Sequence, residues 1–580
     1  MDFFDYAWST SFQITRKKHE EVKILFQDGI LFPSLKTDSH GYVLYLAKPK
    51  MIGEEKIRYQ DIISSLNDEF VKKLVWRNFK ASVFHLSMHA AVSNFEVYAR
   101  WAKNKNPELA IYVASLVEDA LINAYLKALW SPFQYDVAFA NAFSYLKLKT
   151  PSNLPENISK LMVSILAKFS VGLIKEALPE NMQKNVEEIC LILLEIENIA
   201  HQKLSSQNGN IEEDIFKDEK INVADKIYTV LNGYGETMHV PSLFYTESHG
   251  NNTVFYEREI PNQSEMEKIL PHALSRLGIK TYEDTSPKAS LWEYDNAEFS
   301  QIFPTWEARE KAEQKILSNY QTLLSDVRFT SFEYPNEDLA EYLRCRSLLS
   351  GAIRRILELL RGVKNIRGED YRLESGLVDL QEAIQVIASK SQRSDIFTRD
   401  ELQSREEAWA ILIDASHSLN FFTGEVRGIA LCLSEVAKNL FFDAQAWSLF
   451  AFNNKFYVIK DFSESFTNRV RARIGGLNHS GLTYLPDGLM LAAEALKKCR
   501  EESRVLVVVS DFFPSGYENV EEEFKEKVKK VERSGIGLIG IGVNSNAVRN
   551  YFRISCVVED PFELMKKFVK AFLEYSSTAV

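Results

Sequence analysis

The sequence predicts a multidomain protein in which an α-helical N-terminal domain precedes a C-terminal α/β domain with a doubly wound, Rossmann-like sheet. Three observations lead to this fold class. Apolar residues in about the first 230 positions recur at helical spacing. From about residue 404, charge-free apolar runs alternate with amphipathic helical segments, as in a mostly parallel sheet. Two of those runs end abruptly in carboxylate and hydroxyl side chains, as strands do when they deliver polar groups to a sheet edge.

Length and composition indicate a globular protein of several domains, since the chain has 580 residues, 46% of them hydrophobic and 26% charged. The formal net charge of -11 argues against nucleic acid as the main partner, because phosphate binding needs concentrated Lys and Arg. Five dispersed cysteines without a CxxC motif indicate neither a disulfide framework nor a zinc ribbon. The N-terminus lacks a signal-peptide pattern, and no uninterrupted apolar run approaches the ~18 residues of a membrane span. We therefore expect a cytoplasmic protein without membrane insertion.

The predicted domains follow one another in this order. Residues 1–230 form the α-helical domain, in which four segments have apolar residues at i, i+3, i+4 and i+7: Ile62 to Phe84, Leu109 to Leu129, Ile158 to Ala177 and Val186 to Leu204. Residues 231–330 are rich in polar and turn-forming residues and predict an extended, partly irregular connection, with an aromatic cluster at Trp292, Tyr294, Pro304 and Trp306. Helical spacing in residues 331–403 predicts a helical stalk.

Residues 404–580 alternate between strand and helix patterns. Strands are predicted at Ala408 to Ile413, Ala446 to Phe452, Phe456 to Lys460, Val505 to Val509 and Ile536 to Val543. Helices are predicted at Val426 to Leu440, Asp487 to Arg500, Val520 to Arg533 and Pro561 to Tyr575. Asn453 and Asn454 suit a hairpin, so the strand after them is expected to be an antiparallel edge.

A set of oxygen-bearing side chains follows the predicted strands of this domain. Asp414, Ser416 and Ser418 come directly after the first strand, Thr483 lies in a Gly- and Pro-marked loop, and Asp511 follows the strand that ends at Val509. If the first and fourth strands flank the switch point of the sheet, these loops meet at one crevice. Carboxylate and hydroxyl oxygens suit a hard cation such as Mg²⁺. The alternative is that the Asp and Ser side chains only cap turns.

A second group of candidate ligands lies in the helical domain: His85, His89, Glu118 and Asp119. The histidines are four residues apart and share a helix face, so with carboxylates they could hold zinc or iron. A peptidase is not expected, because Leu86 occupies the position of the catalytic Glu. The alternative is a pair of buried histidines hydrogen-bonded to the acidic residues. Glu197 and His201 either join this cluster or form a surface pair.

Three further motifs have simpler interpretations. The glycines of a GxGxxG pattern, Gly535, Gly537 and Gly540, lie inside a predicted strand with no helix directly after them, so they do not predict a dinucleotide site. No GxxxxGK[ST] motif for nucleotide hydrolysis occurs in the sequence. Arg469, Arg471 and Arg473 belong either to a surface helix or to a basic patch that steers an acidic partner toward the cation.

The set formed by Asp414, Ser416, Ser418, Thr483 and Asp511 resembles the metal-ion-dependent adhesion site of von Willebrand factor A domains. The resemblance covers about the last third of the chain. It implies a binding module in which the metal keeps one position open for a carboxylate of a partner. Phe512 departs from the pattern, since many such domains have Gly after the Asp of the third loop.

A wider resemblance covers most of the chain. The segments HLSMHAAVSNF, LVEDALINAY, LWEYDNAEFSQIFPTW, RSLLSGAIRRILELLRG, GEDYRLESGLVDLQEAI and DASHS occur in an order that resembles the nitric oxide reductase activation protein family. The resemblance implies a cytoplasmic adaptor that works with a MoxR-type AAA+ ATPase to activate or remodel a client metalloenzyme, such as a nitric oxide reductase. The chain departs from the family in having fewer arginines around the stalk and LTYLPDG in the second metal loop.

We therefore expect a non-catalytic, chaperone-like adaptor that binds partners through Mg²⁺ or Mn²⁺ at Asp414, Ser416, Ser418, Thr483 and Asp511. Two alternatives belong to other classes. One is an enzyme with a catalytic metal at the histidine cluster. The other is a plain interaction scaffold without a metal.

Overall fold

The computed structural model describes residues 2–53, 55–94, 96–206, 216–243, 247, 253–279, 296–364, 367–373, 377–378, 380–389, 397–402, 407–501 and 503–578. The chain divides into two compact units, Met1–Ala312 and Glu313–Val580. This single division differs from the predicted boundaries at 230, 330 and 403. Trp292 and Tyr294 of the predicted aromatic cluster, and parts of the predicted connection and stalk, lie outside the described residues.

The first unit combines helices with two small sheets. Its helices are α1 (Phe3–Thr15), α2 (Glu69–Val92), α3 (Glu96–Trp101), α4 (Pro107–Leu129), α5 (Gln134–Lys147), α6 (Asn157–Val171), α7 (Glu180–Ser206), α8 (Lys217–Asn232), α9 (Gln263–Arg276) and the first part of α10 (Asn296–Leu323). Its strands are β1 (Val22–Gln27), β2 (Ser34–Thr37), β3 (Tyr42–Ala47), β4 (Lys50–Ile52), β5 (Lys56–Tyr59) and β6 (Ile62–Ser65). The two sheets have the strand orders β1-β3-β2 and β4-β5-β6.

The region is mostly helical, as predicted, but the six strands were not expected. The predicted helix from Ile62 to Phe84 instead begins at Glu69, because the Asp68 carboxylate caps it by accepting from the Phe70 N–H at 2.9 Å. Residues before that cap form β6, which pairs with β5 in an antiparallel ladder. The apolar residues of β6 fit the helical pattern of the segment after them, because a short strand next to a helix has no periodicity of its own.

Helix α4 runs through the apolar core of the first unit and is buried along most of its length. Among the described helices, it is the one whose length and composition would suit a membrane span. Within the protein, however, 94% of its apolar window is buried. A core helix that is apolar all round has this property as well.

The second unit is built on a seven-stranded sheet with the order β16-β15-β14-β11-β12-β13-β7. The strands are β7 (Phe332–Glu333), β11 (Glu407–Asp414), β12 (Trp447–Phe452), β13 (Phe456–Lys460), β14 (Ser503–Ser510), β15 (Ile536–Val543) and β16 (Ser555–Val558), with β8 (Arg367–Leu373), β9 (Leu377–Val378) and β10 (Phe397–Leu402) in a separate sheet. The helices are the rest of α10, α11 (Leu339–Lys364), α12 (Leu380–Ser389), α13 (Thr423–Leu440), α14 (Asn468–Gly475), α15 (Leu485–Lys497), α16 (Val520–Arg533) and α17 (Leu564–Thr578).

The centre of this sheet confirms the predicted α/β arrangement. Strand β11 is buried at every position and pairs in parallel with β14 on one side and β12 on the other. Since the chain first visits β12 and later returns to β14, the strand order reverses at β11. This reversal is the switch point at which ligands bind in doubly wound sheets. Strand β13 is antiparallel to β12, as the two asparagines predict, but it is not the edge, because β7 pairs with it.

The predicted helical stalk is also corrected. Within the described residues, α11 packs on α13, α14 and α17 of the α/β unit. The Tyr342 hydroxyl donates to Glu435 Oε1 at 2.5 Å, and Arg427 donates to Glu341 Oε1 at 2.9 Å. Beyond α11, β8, β9 and β10 form a three-stranded sheet. The apolar side of α11 packs on helices of the α/β unit. Helical spacing in the sequence could predict α11 itself but not which helices it contacts.

Candidate functional site

Asp414 is the last residue of β11, and its fully buried carboxylate accepts hydrogen bonds from Ser416 and Ser510. The Ser416 N–H donates to Asp414 Oδ1 at 2.9 Å, and the Ser510 hydroxyl donates to Oδ2 at 2.6 Å. The Ser416 and Ser418 hydroxyl oxygens are 3.0 Å apart. The two serines thus bring their oxygens together beside the carboxylate, as the alternate spacing predicts.

The loop that carries Thr483 is joined to the loop after β11. The His417 N–H donates to the Gly481 carbonyl at 3.1 Å, while the Ser480 N–H donates to the Ala415 carbonyl at 2.8 Å. Gly481 has φ +73°, a left-handed conformation that favours glycine. The Thr483 N–H donates to the Ser515 hydroxyl at 3.2 Å, which joins this loop to the loop after β14. Three loops therefore meet at the switch point.

The third loop places Asp511 beside Asp414. The residue after Asp511 has an unusual backbone conformation. Phe512 has φ +58°, which costs a residue other than glycine on the order of 1–3 kcal/mol. Its N–H donates to the Ser510 hydroxyl at 2.9 Å, and its buried ring packs against Phe524 and Phe552. Burial of the ring offsets the backbone strain.

The two carboxylates form an electrostatically unfavourable pair. Burial, reinforced by the charge of Asp511, raises the pKa of Asp414 to about 7. The largest opposing effects come from the hydrogen bonds that Ser510 and Ser416 donate to the carboxylate. A divalent cation would supply the missing positive charge, and two carboxylates with three hydroxyls are a donor set that suits Mg²⁺ or Mn²⁺.

Each of the three loops also carries one exposed apolar side chain. They are Phe421, which is 90% exposed, Leu482, which is 47% exposed, and Phe513, which is 62% exposed. Each stands within three residues of a candidate ligand in the sequence. We call these three side chains the apolar rim. The rim could not be predicted from the sequence, because exposure cannot be told from residue type.

Three of the four residues of the second candidate group meet in the core of the first unit, and Glu247 takes the place predicted for Glu118. His85 and His89 on α2 meet Asp119 on α4 and Glu247, all four buried. Glu247 Oε2 lies 2.5 Å from Nε2 of each histidine, and the two Nε2 atoms are 3.1 Å apart. Asp119 Oδ1 lies 3.3 Å from His85 Nε2 and 3.4 Å from His89 Nε2. Glu247 was missed because it lies in a polar segment without periodicity.

Glu118 does not belong to this cluster, which corrects the predicted set. Its buried carboxylate accepts from the Tyr98 hydroxyl at 2.9 Å and pairs with Lys220 at 2.8 Å. Adjacent helix positions differ by about 100° around the axis, so Glu118 and Asp119 point to different neighbours. Glu197 is likewise buried in a different ion-paired group, with Lys127 and Arg276.

Two of the three arginines predicted either for a surface helix or for a steering patch, Arg469 and Arg473, are buried in ion pairs, while Arg471 is half-buried. Arg469 and Arg473 are buried, and both pair with Glu313. Arg473 also donates to the Ile459 carbonyl at 3.1 Å. A guanidinium neutralised in this way has little field left to attract a partner. The GxGxxG glycines lie in and beside β15, as predicted.

No protein-family model matches the chain, and no curated protein matches it. Several solved structures share partial likeness. A von Willebrand factor type A protein from Catenulispora acidiphila matches at 14% identity and a TM-score of 0.24, over 31% of this chain and 43% of that one. The PilB minor pilin from Streptococcus sanguinis matches at 16% identity and a TM-score of 0.22, over 31% and 63%. The Deinococcus radiodurans RO (RSR) protein matches at 10% identity and a TM-score of 0.23, over 89% and 95%. The first two matches span less than two thirds of the other chains, and no functional argument rests on scores this low.

Proposed function

We propose that this protein is a non-catalytic adaptor that grips a partner protein through a divalent cation, Mg²⁺ or Mn²⁺, held by Asp414, Ser416, Ser418, Thr483 and Asp511. The observation that carries the proposal is the buried Asp414 carboxylate, which faces Asp511 and accepts hydrogen bonds from Ser416 and Ser510. The cation completes the donor set and leaves a position for a carboxylate of the partner. Ser510 orients Asp414 by donating to its second oxygen.

The apolar rim supports a protein as the partner. Phe421, Leu482 and Phe513 would surround a metal-bound carboxylate with apolar surface. A central polar contact within apolar surroundings is the usual composition of a protein interface, in which the surrounding contacts exclude water. A small free acid would gain little from these side chains.

The partners we propose are a MoxR-type AAA+ ATPase and a client metalloenzyme, with a nitric oxide reductase-like enzyme as the first client to test. This part of the proposal rests on the sequence resemblance to the nitric oxide reductase activation protein family. In this account the protein works in the cytoplasm, binds no nucleic acid and does not insert into the membrane. The second unit supplies the metal-dependent grip.

The test is affinity capture from native lysate with the full chain in Mg²⁺, followed by mass spectrometry. Asp414→Asn, which keeps the shape of the side chain but weakens the cation site, is captured in parallel. Phe442→Ser is the matched control, because this exposed residue precedes β12 and so lies toward the opposite edge of the sheet.

We expect an AAA+ ATPase and a metalloenzyme with the wild type and with Phe442→Ser, and loss of at least one of them with Asp414→Asn or in EDTA. Capture of the same partners by Asp414→Asn would contradict the metal-dependent grip. Capture of neither class by the wild type would contradict the adaptor function.

A further inference from the structure

The histidine cluster of the first unit has a geometry that hydrogen bonds alone explain poorly. His85 and His89 lie one turn apart on α2 and direct Nε2 toward the same point. Asp119 reaches that point from α4, and Glu247 reaches it from beyond α8. All four side chains are at most 10% exposed. The cluster joins three segments of the chain that are distant in sequence.

The distances between the ligand atoms resemble the edges of a metal tetrahedron. Zinc bound at ~2.0–2.1 Å by tetrahedral nitrogen and oxygen ligands separates those ligands by roughly 3.3 Å. The contacts of His85 Nε2 with His89 Nε2 and with Asp119 Oδ1 are 3.1 and 3.3 Å, and that of His89 Nε2 with Asp119 Oδ1 is 3.4 Å. Glu247 Oε2 is closer, at 2.5 Å from each nitrogen. A shift of this one carboxylate by less than 1 Å would complete the tetrahedron.

The outer contacts of the cluster are also those of a metal ligand. His89 Nδ1 lies 2.9 Å from the Ser93 hydroxyl, which can accept its N–H; in that tautomer the Nε2 lone pair points toward the cluster. Metal-binding histidines usually donate their second ring N–H to an oxygen in this way, which fixes the tautomer. Ser93 is itself buried directly after α2.

The alternative without a metal is a proton-filled cluster. It would require a proton on both Nε2 atoms, which are 3.1 Å apart, with both N–H groups donating to the same oxygen of Glu247. In such a cluster Asp119 Oδ1 would accept only weak hydrogen bonds from the histidines, because its distances of 3.3 and 3.4 Å to their Nε2 atoms are longer than those of usual N–H···O hydrogen bonds. A divalent ion with neutral imidazoles removes the repulsion and uses all four groups, while the two carboxylates balance its charge.

We propose that His85, His89, Asp119 and Glu247 form a closed binding site for a divalent first-row transition metal, zinc or iron(II). Two imidazoles and two carboxylates suit either ion. Because four protein side chains fill the coordination of a tetrahedral ion and all are buried, the metal has a structural role: it fastens α2 to α4 and to Glu247. This site is independent of the Mg²⁺ site in the second unit.

The test is metal analysis of the full chain after reconstitution with Zn²⁺ and, anaerobically, with Fe²⁺ in separate samples. Asp119→Asn is compared with Glu118→Gln, a change of the neighbouring buried carboxylate that lies outside the cluster. In excess Mg²⁺, which occupies the cation site of the second unit, we expect about one zinc or iron ion per chain in the wild type and in Glu118→Gln. Asp119→Asn should weaken binding by at least about 10-fold, because a ligand matters at least as much as its supporting contacts. The ion that remains bound after dialysis distinguishes zinc from iron.

Two further measurements keep the test decisive if a variant folds poorly. Co²⁺ bound to the wild type should give the visible absorption bands of a tetrahedral ion, and His201→Ala, a half-exposed histidine of the same unit, should leave those bands unchanged. Chelation should lower the unfolding temperature of Asp414→Asn, in which the other cation site is disabled. The proposal is overturned if the folded wild type retains neither zinc nor iron, or if Asp119→Asn binds as tightly as Glu118→Gln. Neither result would bear on the cation grip of the second unit.

Discussion

Replacing Asp414 with Asn should stabilise the metal-free protein while removing its response to Mg²⁺. Asn has nearly the same shape, can accept from the Ser416 N–H and can donate to the Ser510 hydroxyl. It does not carry the charge that burial and Asp511 disfavour. The substitution therefore separates the electrostatic cost of the site from its hydrogen bonds.

The size of the effect follows from the pKa of Asp414, which rises from 3.8 to about 7 in the folded, metal-free protein. At about 1.4 kcal/mol per pKa unit, the ionised carboxylate costs the folded state about 4 kcal/mol above neutral pH. The sign follows from linkage. The folded state binds the proton more tightly, so this stability is present below about pH 4 and is lost as the pH rises to about 7. The advantage of Asn should therefore grow across that range and stay constant above it.

The assay is urea unfolding of the full chain, with the second unit followed by hydrogen exchange and mass spectrometry of peptides from its buried strands β11 and β14. Wild type and Asp414→Asn are compared at several pH values. Without metal at about pH 8, Asp414→Asn should be more stable by ~2–4 kcal/mol. Millimolar Mg²⁺ should stabilise the wild type and close the gap, because a ligand that binds only the folded state adds to its stability. If Asp414→Asn is less stable than the wild type at every pH, with and without Mg²⁺, burial does not disfavour the ionised Asp414 carboxylate and the prediction is wrong.

Three other predictions follow from the same contacts. Arg473→Met should destabilise the second unit by about 1–3 kcal/mol in urea unfolding, because it removes the ion pairs of a buried guanidinium with Glu313 and Glu464, whereas the more exposed Arg471→Met should cost at most ~1 kcal/mol; equal effects would contradict the structural role of Arg473. Phe513→Ser should weaken capture of the partner about 10-fold or more without changing the unfolding temperature, and Phe442→Ser should change neither. Gly481→Ala should weaken Mg²⁺ binding in calorimetry, because a Cβ at φ +73° would meet Asn454; unchanged affinity would show that this loop does not shape the site.

The α/β unit was the most predictable part of the chain, because its central strands are buried on both faces and read as charge-free runs. The runs at Ala408, Val505 and Ile536 each became a parallel strand within about two residues of the predicted bounds. Polar residues at the ends of parallel strands meet at one edge whatever lies between them, so Asp414 and Asp511 could be placed together from sequence alone.

The remainder depended on long-range contacts that leave no local pattern. The short strands β1–β6 are only three to six residues long, too short for a clear alternation beside a long helix. Glu247 joins the histidine cluster from a segment more than a hundred residues away in the sequence. That segment is polar, so the sequence does not predict that Glu247 is buried. Glu118 and Asp119 are equivalent in sequence, and only the packing of α4 decides which of them faces the histidines.

The central claim is that the second unit binds a divalent cation through Asp414, and titration with Mn²⁺ followed by electron paramagnetic resonance tests it most directly. Bound Mn²⁺ loses the sharp signal of the free ion, so binding is counted without a partner protein. The account predicts that the wild type binds about one more Mn²⁺ than Asp414→Asn and that Mg²⁺ displaces this ion. Equal binding by the wild type and Asp414→Asn at millimolar Mn²⁺ would contradict it.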